Sequence, residues 1–234
     1  MRALRPRIAV LLSGSGTSLE NLLEQIDAGA VPGSVCVVVA SKANAFGLER
    51  ARRRGIPALA VPRKEHPDAR GFNDAIHAAL APHDPDLVLL LGFLSPFETR
   101  GRYDGRALNV HPALIPSFCG QGFYGRRVHE AVLAAGVHVT GATVHFVDAE
   151  YDHGPIVLQE PVPVRGDDTP ETLAARVQEV ERRLVPEAVR LFAAGRLALD
   201  GRRVTILPGP DWASLGCASL RGRFAALRPA PRPI

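Results

Sequence analysis

The 234-residue chain reads as an α/β protein of three layers around a mostly parallel, mixed central sheet of about seven strands. Three observations predict this. Five apolar, β-rich stretches in the first half alternate with helical patterns, as parallel strands joined by crossover helices require. A glycine-rich turn follows the first of them, where such folds bind ligands. Two further β-rich segments after residue 139 lie close together in sequence, so they pair partly antiparallel and make the sheet mixed.

The strands in order are IAVLL (8–12), VCVVVA (35–40), ALAV (58–61), DLVLLLG (86–92), ALNV (107–110), TGATVHFV (140–147) and PIVLQEPVPV (155–164). Helices are predicted over 18–28, 45–54, 70–80 and 126–135. The first carries Leu19, Leu22, Leu23 and Ile26 on one stripe, Thr17 and Glu20 at capping-box spacing, and Gly29 as its stop. A long helix follows Thr169, with Pro170 at its first position and a buried stripe of Leu173, Val177, Val180 and Leu184. Pro186 is expected to kink or restart it.

A hydrophobic content of 46% suits one sizeable globular core. No apolar run is long enough to span a bilayer, and the N-terminal segment turns into a glycine loop rather than a cleavage site, so a cytoplasmic protein without membrane contact is expected. Cys36, Cys119 and Cys217 are far apart, which suits reduced thiols and excludes a CxxC metal or redox pair. The formal charge of +4 is matched by Arg221, Arg223, Arg228 and Arg232 in a tail without acidic residues. The remainder is balanced, and no nucleic-acid partner is expected. Residues 201–234 are expected to form a basic, partly disordered extension, Pro-rich at its end.

Ser13 to Ser18 lie between the first strand and the first helix, where exposed N–H groups and the helix dipole favour an anion. A dinucleotide fingerprint is disfavoured, because Leu19 replaces its third glycine and no acid ends the second strand; no GK[ST] follows for a P-loop. Phosphate is the expected ligand, and a turn needed only for packing is the alternative. In ALNVHP, strand alternation sends Leu108 and Val110 to one face and Asn109 and His111 to the other. The segment HFVDAEYDHGP brings His145, Asp148, Glu150, Asp152 and His153 into one loop. Without HxH or HExxH spacing, acid–base chemistry is preferred to a metal site.

SGSGTSLENLL, SKANAFGLERARRRGI, LNVHPALIPSF, GATVHFVDAEYDHGPIVLQEPVPV and DDTPETLAARVQEVERRLVPEAVRLFAAGRL together resemble the phosphoribosylglycinamide formyltransferases, from about Ile8 to Leu197. The resemblance implies a Rossmann-like, formyltransferase-like fold over residues 1–200, with a nucleotide half to about 106 and a folate and catalytic half beyond. It implies transfer of the formyl group of 10-formyltetrahydrofolate to glycinamide ribonucleotide in purine synthesis, with no metal, by a monomer or homodimer.

Matched position by position, the resemblance makes Asn109, His111 and Asp152 catalytic: Asn109 as a fixed N–H donor, His111 as a protonated imidazole, and Asp152 as the carboxylate that orients its ring. His145 stands beside them. Gly16, Thr17 and Ser18 would hold the phosphate, with Gln178 and Glu181 near the ribose and amine. Folate would lie over Leu94, Ser95, Pro96 and Phe97, along Asp148, Ala149, Glu150, Tyr151 and Asp152, and against Asn109, with Arg70 near its glutamate tail. The family's basic residue after GF is absent from GFLSPF, and the segment 95–106 is short. A methionyl-tRNA formyltransferase or a formyltetrahydrofolate hydrolase would need a further domain, and a non-catalytic phosphate- or folate-binding module is the alternative from another class.

Overall fold

The computed structural model describes residues 5–208. Seven strands form one sheet: β1 (Arg7–Leu12), β2 (Ser34–Ala40), β3 (Ala58–Ala60), β4 (Leu87–Leu90), β5 (Ala107–His111), β6 (Val139–Phe146) and β7 (Ile156–Pro163), in spatial order β3-β2-β1-β4-β5-β6-β7. The first five are parallel; β6 pairs antiparallel with both β5 and β7. The mixed, mostly parallel sheet expected from the sequence is thus present, and the strand order reverses direction between β1 and β4. At that switch point the loops after neighbouring strands diverge and leave a crevice.

Helices α1 (Thr17–Asp27), α2 (Phe46–Arg53), α4 (Arg126–Ala134) and α5 (Pro170–Ala193) cover one face, and α3 (Ala69–Leu80) covers the other. The strands alternate accordingly. Ile8, Val10 and Leu12 of β1 pack toward α1 and α5, whereas Ala9 and Leu11 pack on Phe72, Ile76 and Leu80 of α3. Leu108 and Val110 join the first cluster, leaving Asn109 and His111 to the opposite side, as alternation requires.

Two local expectations are corrected. The capping box at α1 does not form: Gly16, at φ 72°, is the N-cap, with no side-chain cap, and Glu20 pairs with Arg50 and Arg54. Second, α5 runs unbroken through Pro186. Proline deprives the carbonyl four residues earlier of its donor, and here that carbonyl, Arg182, accepts from Asn21 Nδ2 of α1 at 3.0 Å. Beyond the sheet the chain continues as a hairpin of β8 (Leu197–Asp200) and β9 (Arg203–Ile206). The arginine-rich tail after residue 208 lies outside the described residues.

Candidate active site

At the switch point the chain leaves β1 as SGSGTS and turns into α1. Ser13 N–H donates to the Gly92 carbonyl at 3.1 Å. The N–H groups of Ser15, Gly16, Thr17 and Ser18 make no hydrogen bond among the described residues. Four free donors at the positive end of an eleven-residue helix form an anion cradle. Glycine at 16 has a packing reason as well. A Cβ there would stand 2.7 Å from Gly47 Cα, because α2 begins directly against the loop and Gly47 N–H donates to the Gly14 carbonyl. Gly14, by contrast, has open space where its Cβ would be. Thr17 Oγ1 accepts from Gln178 Nε2 of α5 at 3.0 Å.

The loop opens on a cavity of about 850 Å³. Its walls include Gly16, Thr17, Ser18, Leu94, Asn109, His111, Tyr151, Asp152, Gln178 and Glu181, which the structure therefore brings together. Glu181 makes no hydrogen bond or ion pair among the described residues, and burial pushes its pKa up to about 7. Glu181 is half-buried on the cavity wall.

The remaining predicted folate contacts stand elsewhere. Arg70 lies exposed on α3, away from the cavity. Ser95 and Phe97 are buried on the α3 side, because the fully buried Asn73 grips the segment, Nδ2 donating to the Pro96 carbonyl at 3.4 Å and Oδ1 accepting from Glu98 N–H at 2.8 Å. Phe97 stacks on His77 at 5.6 Å between ring centres. Asp148 organises its own turn, accepting from Glu150 N–H at 3.0 Å and pairing with His153 at 2.8 Å. Ala149 and Glu150 are exposed and off the cavity wall.

Asn109, His111 and Asp152 meet at the inner wall. Asp152, at φ 53°, is carried by a loop that closes tightly because Gly154 lies against the Phe146 carbonyl; a Cβ at 154 would stand 1.8 Å from it. Asp152 Oδ1 accepts from Asn109 Nδ2 at 3.1 Å, and Oδ2 accepts from Gly120 N–H at 3.0 Å and lies 3.3 Å from His111 Nδ1. Burial would raise the Asp152 pKa, but the His145 and His111 rings and the Gly120 N–H outweigh it, so the carboxyl stays below its ordinary value.

Asn109 Nδ2 also donates to His145 Nε2 at 3.1 Å, while His145 Nδ1 donates to the Phe146 carbonyl at 2.8 Å. A carboxylate only accepts, which fixes the amide orientation. Both amide hydrogens of Asn109 are therefore engaged, one by Asp152 and one by His145.

Burial lowers the His111 pKa, and the Asp152 charge and the Phe118 carbonyl do not restore it. Nε2 donates to the Phe118 carbonyl at 2.8 Å, and Nδ1 stands 3.3 Å from Asp152 Oδ2. A proton taken at Nδ1 would turn this contact into a hydrogen-bonded ion pair. The ring is a base whose acid form already has its partners in place.

Sequence reasoning overlooked the segment 117–125, which supplies Phe118 O and Gly120 N–H to this cluster and lines the cavity with Tyr124. Its signal was present in CGQGFYG: Gly120, Gly122 and Gly125 all take positive φ, the mark of a shaped loop. Also overlooked was His129 of α4 on the cavity wall. Among the described residues no group of three or more His, Cys, Asp or Glu could hold a metal ion, and no helix is long and apolar enough to cross a membrane.

Comparison with known proteins bears on this geometry. The formyl transferase family matches residues 6–189. The phosphoribosylglycinamide formyltransferase of Mycobacterium tuberculosis is 43% identical over 208 residues, covering 86% of this chain and 94% of that protein. The Bos taurus trifunctional purine biosynthetic protein adenosine-3 is 40% identical over 85% of this chain, which spans only 20% of that longer protein. Among solved structures, glycinamide ribonucleotide transformylase 1 from Symbiobacterium toebii superposes with a TM-score of 0.79 at 44% identity, covering 87% of this chain and 95% of that one.

Proposed function

This chain belongs to the formyl transferase family, and from that premise we propose that it transfers the formyl group of 10-formyltetrahydrofolate to the amine of N1-(5-phosphoribosyl)glycinamide, a step of purine biosynthesis. The observation that carries the reading is a single cavity walled at one end by four free N–H groups and at the other by Asn109, His111 and Asp152.

The phosphate would lie on the Gly16–Ser18 loop, with Gln178 and Glu181 beside the ribose and amine. The folate supplies the formyl carbon, and Leu91, Phe93, Leu94 and Tyr151 offer an apolar and aromatic wall for its ring. His111 Nδ1 takes the proton released as the amine attacks and returns it to N10 of the folate as the bond from the formyl carbon to that nitrogen breaks, while Asp152 stabilises the charge the ring carries in between. Negative charge growing on the formyl oxygen is met by Asn109, which exchanges its contact with His145 for one to that oxygen. No covalent bond to the protein is required.

The test is to incubate the protein with both substrates and follow tetrahydrofolate. Release that depends on the ribonucleotide is expected. Release without it would point to a hydrolase, and no release from folded protein would reject the assignment.

A further inference from the structure

Two buried histidines, His111 and His129, line the cavity and a third, His145, stands behind Asn109; His111 and His145 use both ring nitrogens. His111 engages Phe118 and Asp152, and His145 engages Phe146 and Asn109. His129 is 5% exposed and lies between the buried Val128 and Val132 on α4. Its Nδ1 is sealed from solvent without a partner. A histidine kept for structure alone would be hydrogen-bonded like its two neighbours.

His129 nevertheless lines the cavity, and with Nδ1 sealed, the Nε2 edge is the part that meets it. We infer that His129 is a binding residue for the ribonucleotide, its Nε2–H donating to the carbonyl oxygen of the glycinamide group. This rests on the substrate assignment above.

The protonation state follows from the surroundings. Burial, and secondarily the nearby His111, hold the His129 pKa below its ordinary value, and its ring forms no hydrogen bond or ion pair among the described residues. The ring is neutral near pH 7 and carries one N–H. A proton on the sealed Nδ1 would bury an unmet donor, so it resides on Nε2. A neutral donor suits a neutral acceptor. The phosphate has the loop amides and the helix end, which leaves the amide carbonyl, separated by one methylene from the reacting amine, as the acceptor within reach of a ring adjoining His111.

Titration of wild type, His129→Phe and His129→Gln with the ribonucleotide tests this, together with an analogue bearing CH2 in place of the glycinamide carbonyl. Phe is expected to weaken ribonucleotide binding tenfold or more while folate binding changes less than twofold. Gln, which keeps an N–H, should lose less than Phe. The analogue should bind wild type more weakly than the true substrate and bind His129→Phe no more weakly than the true substrate does. Full-strength binding by His129→Phe, or equal discrimination by all three proteins, would overturn the inference. Should Phe fail to fold, the His129 Nε2–H resonance in wild type must move on adding ribonucleotide and not on adding folate; a still resonance would overturn it as well. Absence of any ribonucleotide binding by wild type would instead reject the substrate assignment, and this inference with it.

Discussion

Glu181 is the residue on which stability and binding pull in opposite directions. Its pKa is raised by burial from 4.5 to about 7, so its contribution to stability is complete below about pH 4.5 and declines as pH rises through about 7. At about 1.4 kcal/mol per pH unit this sets a ceiling of about 3 kcal/mol above pH 8, reduced by the solvated side that faces the cavity. Glu181→Gln is therefore expected to raise the melting temperature at pH 8, leave it unchanged at pH 4, and weaken the ribonucleotide; melts at both pH values with a titration check it. At His111 burial has already lowered the pKa against the pull of Asp152. Asp152→Asn removes that pull, so the pH–rate limb of His111 should move to lower pH and kcat/KM should fall on the order of 10²-fold. A limb that stays in place would mean that Asp152 does not act through the ring. The sequence brought these residues together by strand alternation and by resemblance. It could not show that both hydrogens of Asn109 are taken, because His145 reaches it only through the antiparallel pairing of β5 with β6, which sets Asn109 opposite His145.

At the level of elements, the glycine loop serves two masters that substitution can separate. Gly16→Ala meets Gly47 and imposes a left-handed φ on a residue with a side chain, which should cost about 1–3 kcal/mol and lower the melting temperature by several degrees. Gly14→Ala meets nothing in the fold, so its melting temperature should match wild type while ribonucleotide affinity falls several-fold. Unchanged affinity would move the phosphate off this part of the loop. Periodicity located every strand of the sheet and every helix longer than one turn, because each buries a recurrent apolar face. It misjudged Pro186, since the donors that replace the lost bond come from Asn21 and Gln25, on a helix 157 or more residues away in sequence. The same non-locality hid the inward turn of Ser95 and Phe97, which Asn73 and His77 of α3 impose.

For the whole molecule, the hairpin after α5 returns to the catalytic loop. Arg202, at the β8–β9 turn, donates through Nη2 to the His153 carbonyl at 2.6 Å, one residue from Asp152. The contact is exposed, so Arg202→Ala should change stability by no more than about 1 kcal/mol while raising the KM for folate a few-fold, as steady-state kinetics would show. An unchanged KM would reduce the hairpin to an ornament of the fold. Nothing local in LALDGRRVTI announced this contact, whereas the order of strands and helices along the chain was enough to anticipate the sheet. The return of α5 also has a consequence in time. Gln178 reaches Thr17, and Asn21 reaches the Arg182 carbonyl, across 161 residues of chain. A ribosome delivering the protein from its N-terminus releases the anion loop long before the helix that closes over it. Until residue 182 has emerged, the newborn chain carries the anion loop and α1 without the contacts from α5 that brace them, so this side of the cavity is completed only late in synthesis.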